Sequence, residues 1–236
     1  QTSSVIVGNS SSKGKKNESN PFLPDYLKDS LLDRYNKELK YPIPIPTCWN
    51  VNDCSSDLKI DDNLLSVRYK GNRKAAAVRA NYYIPEETGI YYFEVDVLDG
   101  GNGDLISIGV ATPYLGLRRH VGWDPGSRGY HGDDGLKFLE QGFGFEYGPT
   151  YTTGDTIGCC INFFSRSIFF TKNGVSLGYA CSFFKFERLY PAVGMRSKHA
   201  WVEANFGNKP FKFDINLYTK TITSVEDYFS GRLRVS

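Results

Sequence analysis

His131, Asp133 and Asp134 stand within four positions of one another, in the run Gly129-Tyr130-His131-Gly132-Asp133-Asp134-Gly135. An imidazole beside carboxylates is material for general acid–base catalysis, in which a carboxylate orients the ring. It is equally material for a metal centre, which needs three or four converging ligands. The other histidines, His120 and His199, have no ligand-type spacing to this group. Glycines at 129, 132 and 135 imply a loop whose backbone turns sharply, and aspartates in such loops commonly cap backbone amides. Neither a catalytic set nor a ligand set can be completed. We therefore expect no catalytic residue, no metal and no cofactor.

Other chemical signatures are missing. The chain has no P-loop, no Gly-x-Ser-x-Gly elbow, no HExxH and no dinucleotide fingerprint. Gly100-Gly101-Asn102-Gly103 resembles a phosphate-cradling turn but joins two β-type runs with no helix behind it, and reads as a plain loop. Arg118-Arg119-His120, with Lys172, Arg196, Lys198 and His199, reads either as a ligand-binding rim or as solvated loop charge. Tyr114 and Leu115 follow a strand ending at Ala111, and apolar residues on loops often serve recognition. Trp123 lies in a strand-like run and is expected in the core.

The elements that would position these residues are strands. Aromatics make up 15% of the 236 residues and 24 are glycine, which favours an all-β domain with many turns over a helical bundle. Short runs with β-type patterning occur at 65–69, 91–97, 105–111, 157–163, 168–178, 189–194 and 201–206. Asn173-Gly174 between apolar runs predicts a tight hairpin. Such a succession makes an antiparallel sandwich or barrel. Residues 1–20, rich in Ser, Asn and Lys, predict a disordered leader. Phe22, Leu23, Tyr26, Leu27, Leu31, Leu32, Tyr35 and Leu39 predict one amphipathic helix docked on the body, followed by an extended proline-rich stretch to residue 45. In the tail, residues 216–236, Val225, Tyr228, Phe229 and Leu233 predict a further helix.

Charge and cysteines bound the partners. A formal net charge of +2 gives no basic excess of the kind that nucleic-acid binders show. No apolar run approaches the ~20 residues that span a bilayer. Five cysteines without paired spacing argue against a disulfide framework, so a reducing compartment, cytoplasm or nucleus, is expected. Adjacent Cys159 and Cys160 point to opposite faces of a strand and are expected to be buried thiols. A start at Gln1 and a lone Met195 lead us to expect a piece of a longer protein.

Together these residues resemble the SPRY domain in its Ran-binding-protein-M branch. The matching pieces are Trp49 after a proline run, residues 65–70 and 89–95, Ile108-Gly109-Val110, Gly122-Trp123-Asp124 and residues 129–135. They continue through Tyr147-Gly148-Pro149 and residues 152–160, 171–178, 189–194 and 204–207, colinear over about 46–215. The leader and the insert near residues 52–57 depart from the animal pattern, and Arg118-Arg119 has no counterpart in it.

The resemblance implies a bent sandwich of two antiparallel sheets without catalysis, monomeric in isolation. Proteins of that branch continue into LisH, CTLH and CRA helical modules. They act as scaffold subunits of the CTLH ubiquitin ligase, called the GID complex in yeasts, which degrades gluconeogenic enzymes. A second reading within the family is a membrane-anchored ubiquitin-ligase adaptor that sorts endosomal or vacuolar cargo. SPRY domains capture proteins or short peptides with loops at one end of the sandwich. Placed by strand order, those loops here bring Tyr69, Lys70, Arg73, Tyr114, Leu115, Arg118, Arg119, His131, Asp133, Arg196 and Lys198 as partner-contact residues.

Overall fold

Alternating side chains decide which way each strand faces. Along Ile90–Asp99, Tyr91, Phe93, Val95 and Val97 enter one apolar core, whereas Ile90 and Tyr92 enter another on the opposite face. The computed structural model of the chain describes residues 23–72, 74–184 and 187–222. Among these, fourteen strands are found: β1 (Trp49–Cys54), β2 (Leu58–Ile60), β3 (Ser66–Tyr69), β4 (Ala76–Ala80), β5 (Ile90–Asp99), β6 (Ile106–Ala111) and β7 (Ser127–His131). The series continues with β8 (Leu136–Leu139), β9 (Gly144–Glu146), β10 (Thr156–Asn162), β11 (Ser167–Lys172), β12 (Val175–Ser182), β13 (Tyr190–Met195) and β14 (Trp201–Asn205).

The strands form two seven-stranded antiparallel sheets, in the orders β1-β4-β13-β6-β7-β8-β9 and β12-β11-β10-β5-β14-β3-β2. Their inner faces close on Trp49, Val78, Phe93, Ile108, Tyr130, Phe170 and Val202, among others. The fold is the all-β sandwich that the patterning predicts. Asn173 and Gly174 adopt φ of 51° and 83° between the paired Lys172 and Val175, which is the backbone a two-residue hairpin needs. Cys159 pairs with Phe93 and Phe170 on the inner face, and Cys160 with Tyr92 and Phe169 on the outer face. Burial pushes both thiols well above their ordinary range.

Three elements differ from expectation. The single amphipathic helix is broken into a 3₁₀ turn, Asp25–Leu27, and α1 (Leu31–Glu38). Asp29 sits at φ 63°, and Ser30 caps α1 by accepting from the Asp33 amide at 3.3 Å, so the cap wins over continuation. Leu27 and Leu32 still dock into the core, whereas Leu31, Tyr35 and Leu39 stay exposed. Second, Gly129-Tyr130-His131 is strand rather than turn, because β7 pairs on both sides, with β6 and β8. Third, Trp123 lies in a turn and packs outside the sandwich core, against His120, His131 and Phe138.

A helix over residues 215–222 covers the outer face of the second sheet, with Tyr218 against Phe169 at 5.1 Å between ring centroids. The tail residues Val225, Tyr228, Phe229 and Leu233, the leader 1–20, and Phe22 lie outside the described residues.

Candidate functional site

Four connections meet at one end of the sandwich, where β3, β5, β7 and β13 end and β4 and β6 begin. Short backbone bonds tie them together. The Gly132 amide donates to the Ile106 carbonyl at 2.9 Å, Arg196 to Leu105 at 2.9 Å, Tyr69 to Ala200 at 2.8 Å and Asn102 to Lys198 at 3.1 Å. The long loop over residues 112–126 leaves β6 at the far end but doubles back across the outer face of the first sheet. It reaches this end where the Ala77 amide donates to the Leu117 carbonyl at 2.9 Å.

The sequence makes that return possible. A side chain on Gly129 would collide with the Val121 carbonyl, so only glycine lets the loop lie against β7. The Val121 amide donates to Ser107 Oγ at 3.0 Å, and its carbonyl accepts from His131 Nε2 at 2.8 Å. Leu115 packs with Ala77, Ala111, Val121 and Ala192 in a small apolar cluster beneath the loop. Arg79, only 5% exposed, holds the loop from β4. Its Nη1 donates to the Thr112 and Leu115 carbonyls at 3.2 and 2.8 Å, while Nε and Nη2 grip Asp53 at 2.6 and 2.7 Å. A fork that satisfies a carboxylate and two carbonyls at once is particular to arginine.

Two imidazoles sit under the same loop. His120 Nδ1 lies 3.0 Å from Ser107 Oγ, and the His131 ring stacks on Phe138 at 3.9 Å. Burial pulls His131 down to about 4, and burial, aided by the charges of His131, Arg196 and Arg119, pulls His120 down to about 3. Both rings are neutral near pH 7.

The structure therefore divides the expected contact residues. Tyr114 is 87% exposed, and Lys70, Arg118, Arg119, Asp133, Arg196 and Lys198 are exposed as well. Arg119 donates to Asp124 at 2.8 Å and lies over the Trp123 ring at 5.4 Å, which fixes its guanidinium at the surface. Arg73 lies outside the described residues.

Three of the expected residues are corrected. Tyr69 is 5% exposed because it takes the inner-face position at the end of β3, with its hydroxyl on the Lys74 carbonyl at 2.6 Å. Leu115 is 3% exposed because it plugs the loop onto the sheet. His131 is 4% exposed because its strand is covered by residues 120–123. These side chains shape the surface without forming it.

The basic rim is reduced in the same way. His120 is buried, and Lys172 is committed to Asp155 at 3.1 Å and to the Thr150 carbonyl at 2.7 Å. The acidic turn behaves as a capping turn in part, since Asp134 Oδ1 accepts from the Leu136 amide at 2.9 Å. Partial burial, then the neighbouring Asp134 charge, raises the Asp133 carboxyl above its usual range. The motif reading passed over the Arg79–Asp53 clamp. Its signal is a lone charge inside the small apolar run Ala75-Ala76-Ala77-Val78-Arg79-Ala80.

Comparison with known proteins agrees with this architecture. The SPRY domain family model matches residues 90–209. The chain is 46% identical to a Drosophila melanogaster Ran-binding proteins 9/10 homolog over 72% of its own length and 18% of the relative's. It is 43% identical to Homo sapiens Ran-binding protein 9, over 81% of the chain and 28% of that protein. It is 37% identical to an Arabidopsis thaliana Ran-binding protein M homolog, over 74% and 38% respectively. The chain thus spans between about a fifth and two fifths of the length of these relatives. A crystal structure of a human SPRY domain superposes with a TM-score of 0.60 at 31% identity, covering 66% of this chain and 98% of that one. The SPRY domain of human HERC1, at 17% identity and a TM-score of 0.57, shares the fold, over 69% of this chain and 99% of that one. The chain belongs to the SPRY domain family, in the branch of the Ran-binding protein M type.

Proposed function

We propose that this SPRY domain is a non-catalytic protein-interaction module that captures protein or peptide partners with the loops gathered at one end of its sandwich. The observation that carries the reading is Tyr114, almost fully exposed on a loop that Arg79, Leu115 and Val121 hold rigidly from beneath. An exposed aromatic on a preformed loop offers apolar area at little ordering cost on binding. In this reading the exposed Arg118, Arg119, Arg196, Lys198 and Lys70 add donors for acidic or carbonyl groups. Arg73 and Asp133 complete the contact set in this reading.

Family membership supports a wider role. We place the domain, residues 46–215 with its flanks 21–45 and 216–236, in a scaffold or substrate-recruiting subunit of a GID/CTLH-type ubiquitin ligase. That ligase acts in the cytoplasm and nucleus on gluconeogenic enzymes. Among the described residues, no helix is long and apolar enough to cross a membrane.

Peptide arrays probed with the purified domain and its Tyr114→Ala and Arg119→Ala variants test the surface. Both variants are expected to lose the acidic, aromatic-accepting peptides that the unmodified domain retains, and an unchanged profile overturns the assignment. Isolation of the full-length protein with its bound subunits, followed by a ubiquitin-transfer assay, tests the ligase role. A stable assembly that transfers no ubiquitin refutes it.

A further inference from the structure

The structure assigns a divalent-cation site to His131, Asp133 and Asp134, with Zn²⁺ as the ion its donors suit best. One donor atom from each residue falls in a group whose members lie within 4.8 Å of one another. Acidic turns alone are common, and the histidine distinguishes this one. His131 is buried, and its Nε2–H donates to the Val121 carbonyl at 2.8 Å. That bond fixes the tautomer, so Nδ1 carries the lone pair, and among the described residues Nδ1 has no hydrogen-bond partner. A ring nitrogen whose opposite N–H is held by a backbone carbonyl is the arrangement that orients metal-binding histidines.

The two carboxylates complete three protein ligands and leave further positions for water. Zn–N and Zn–O bonds of about 2.0–2.2 Å put donors on one ion at most about 4 Å apart. The remaining closure is small. It falls on the exposed Asp133 and Asp134, the latter also accepting from the Leu136 amide, whereas His131 is locked by its stack on Phe138. The turn is rigid where it must be, with the Gly132 amide on Ile106 and the Gly135 amide on His131 at 3.2 Å. One imidazole with two carboxylates suits zinc and its neighbours in the first transition row better than magnesium, which prefers oxygen ligands and its own water.

The site sits within the loop end to which we assign partner binding, but does not depend on that assignment. An ion there would fix the 132–135 turn and turn two adjacent negative charges into a neutral feature. Titration of chelator-treated protein with ZnCl₂, followed by calorimetry and by imidazole ¹⁵N resonances, tests it. We expect one Zn²⁺ per chain at this turn, a shift of the His131 Nδ1 resonance, and a rise in Tm. The Asp133→Asn/Asp134→Asn double variant, whose side chains are exposed and outside the core, is expected to fold normally and bind at least about tenfold more weakly. Because His131→Ala would disturb packing under the loop, the double Asn variant is the decisive one. Binding that survives it, a resonance shift at His199 alone, or no binding at all overturns the assignment.

Discussion

Arg79 and Asp53 form a two-bond fork at 2.6 and 2.7 Å that crosses from β4 to β1, and the guanidinium's remaining nitrogen reaches over to carry the 112–126 loop. One buried cation thus couples the edge strand of the first sheet to the loop that presents Tyr114. Arg79→Lys keeps the charge but loses the fork. It is expected to lower unfolding free energy by about 2–3 kcal/mol, the range for charge-assisted bonds lost from a buried site. Urea denaturation measures this, and a midpoint equal to that of the unmodified protein contradicts it.

Neighbours on the loop should separate cleanly. Leu115→Ala empties a packed position and is expected to cost about 2–4 kcal/mol. Tyr114→Ala removes only exposed surface and is expected to stay within about 0.5 kcal/mol. The same denaturation series checks both. Equal losses would mean that the loop is not seated as described.

The two buried imidazoles predict an acid-labile domain. Their folded pKa values, about 3 for His120 and about 4 for His131, lie below the ordinary 6.5. The unfolded chain therefore binds more protons as pH falls below 6.5, and stability drops. At about 1.4 kcal/mol per unit, each ring costs roughly 2–3 kcal/mol by pH 4.5. Stability present above pH 6.5 is lost progressively down through pH 4 and 3. Denaturation midpoints at pH 7, 5.5 and 4.5 follow the loss, and a flat profile rules it out.

Glu94 anchors the segment after β14. Its buried carboxylate accepts from the Lys212 amide at 2.9 and 3.1 Å, from the Phe213 amide at 3.1 Å and from the Tyr92 hydroxyl at 2.9 Å. Glu94→Ala is expected to speed hydrogen exchange at the Lys212 and Phe213 amides by about 10- to 100-fold, with β10 unaffected. Exchange unchanged at those two amides would show that the packing of Phe211 and Phe213 suffices.

The sandwich was legible because its signals are local. Period-two patterning in residues 91–97 and 157–163 marks which side chains enter the core, and Asn173-Gly174 names its own turn. The broken N-terminal helix was not legible, because Ser30 and Asp29 compete with an apolar periodicity that would otherwise run through. The site was half legible. Lys70, Tyr114, Arg118, Arg119, Arg196 and Lys198 reach the surface as expected. Tyr69, Leu115 and His131 do not, because their exposure depends on what lies over them.

By residue order and spacing alone, this protein was committed to an antiparallel β-sandwich of the SPRY type. Tertiary structure alone decided that the 112–126 loop folds back over the first sheet, that Arg79 holds it there, and that donor atoms of His131, Asp133 and Asp134 come within 4.8 Å of one another. The reason is range. Strand patterning is written in neighbouring residues, whereas burial of a loop and convergence of donors arise from contacts between segments that sequence spacing does not relate.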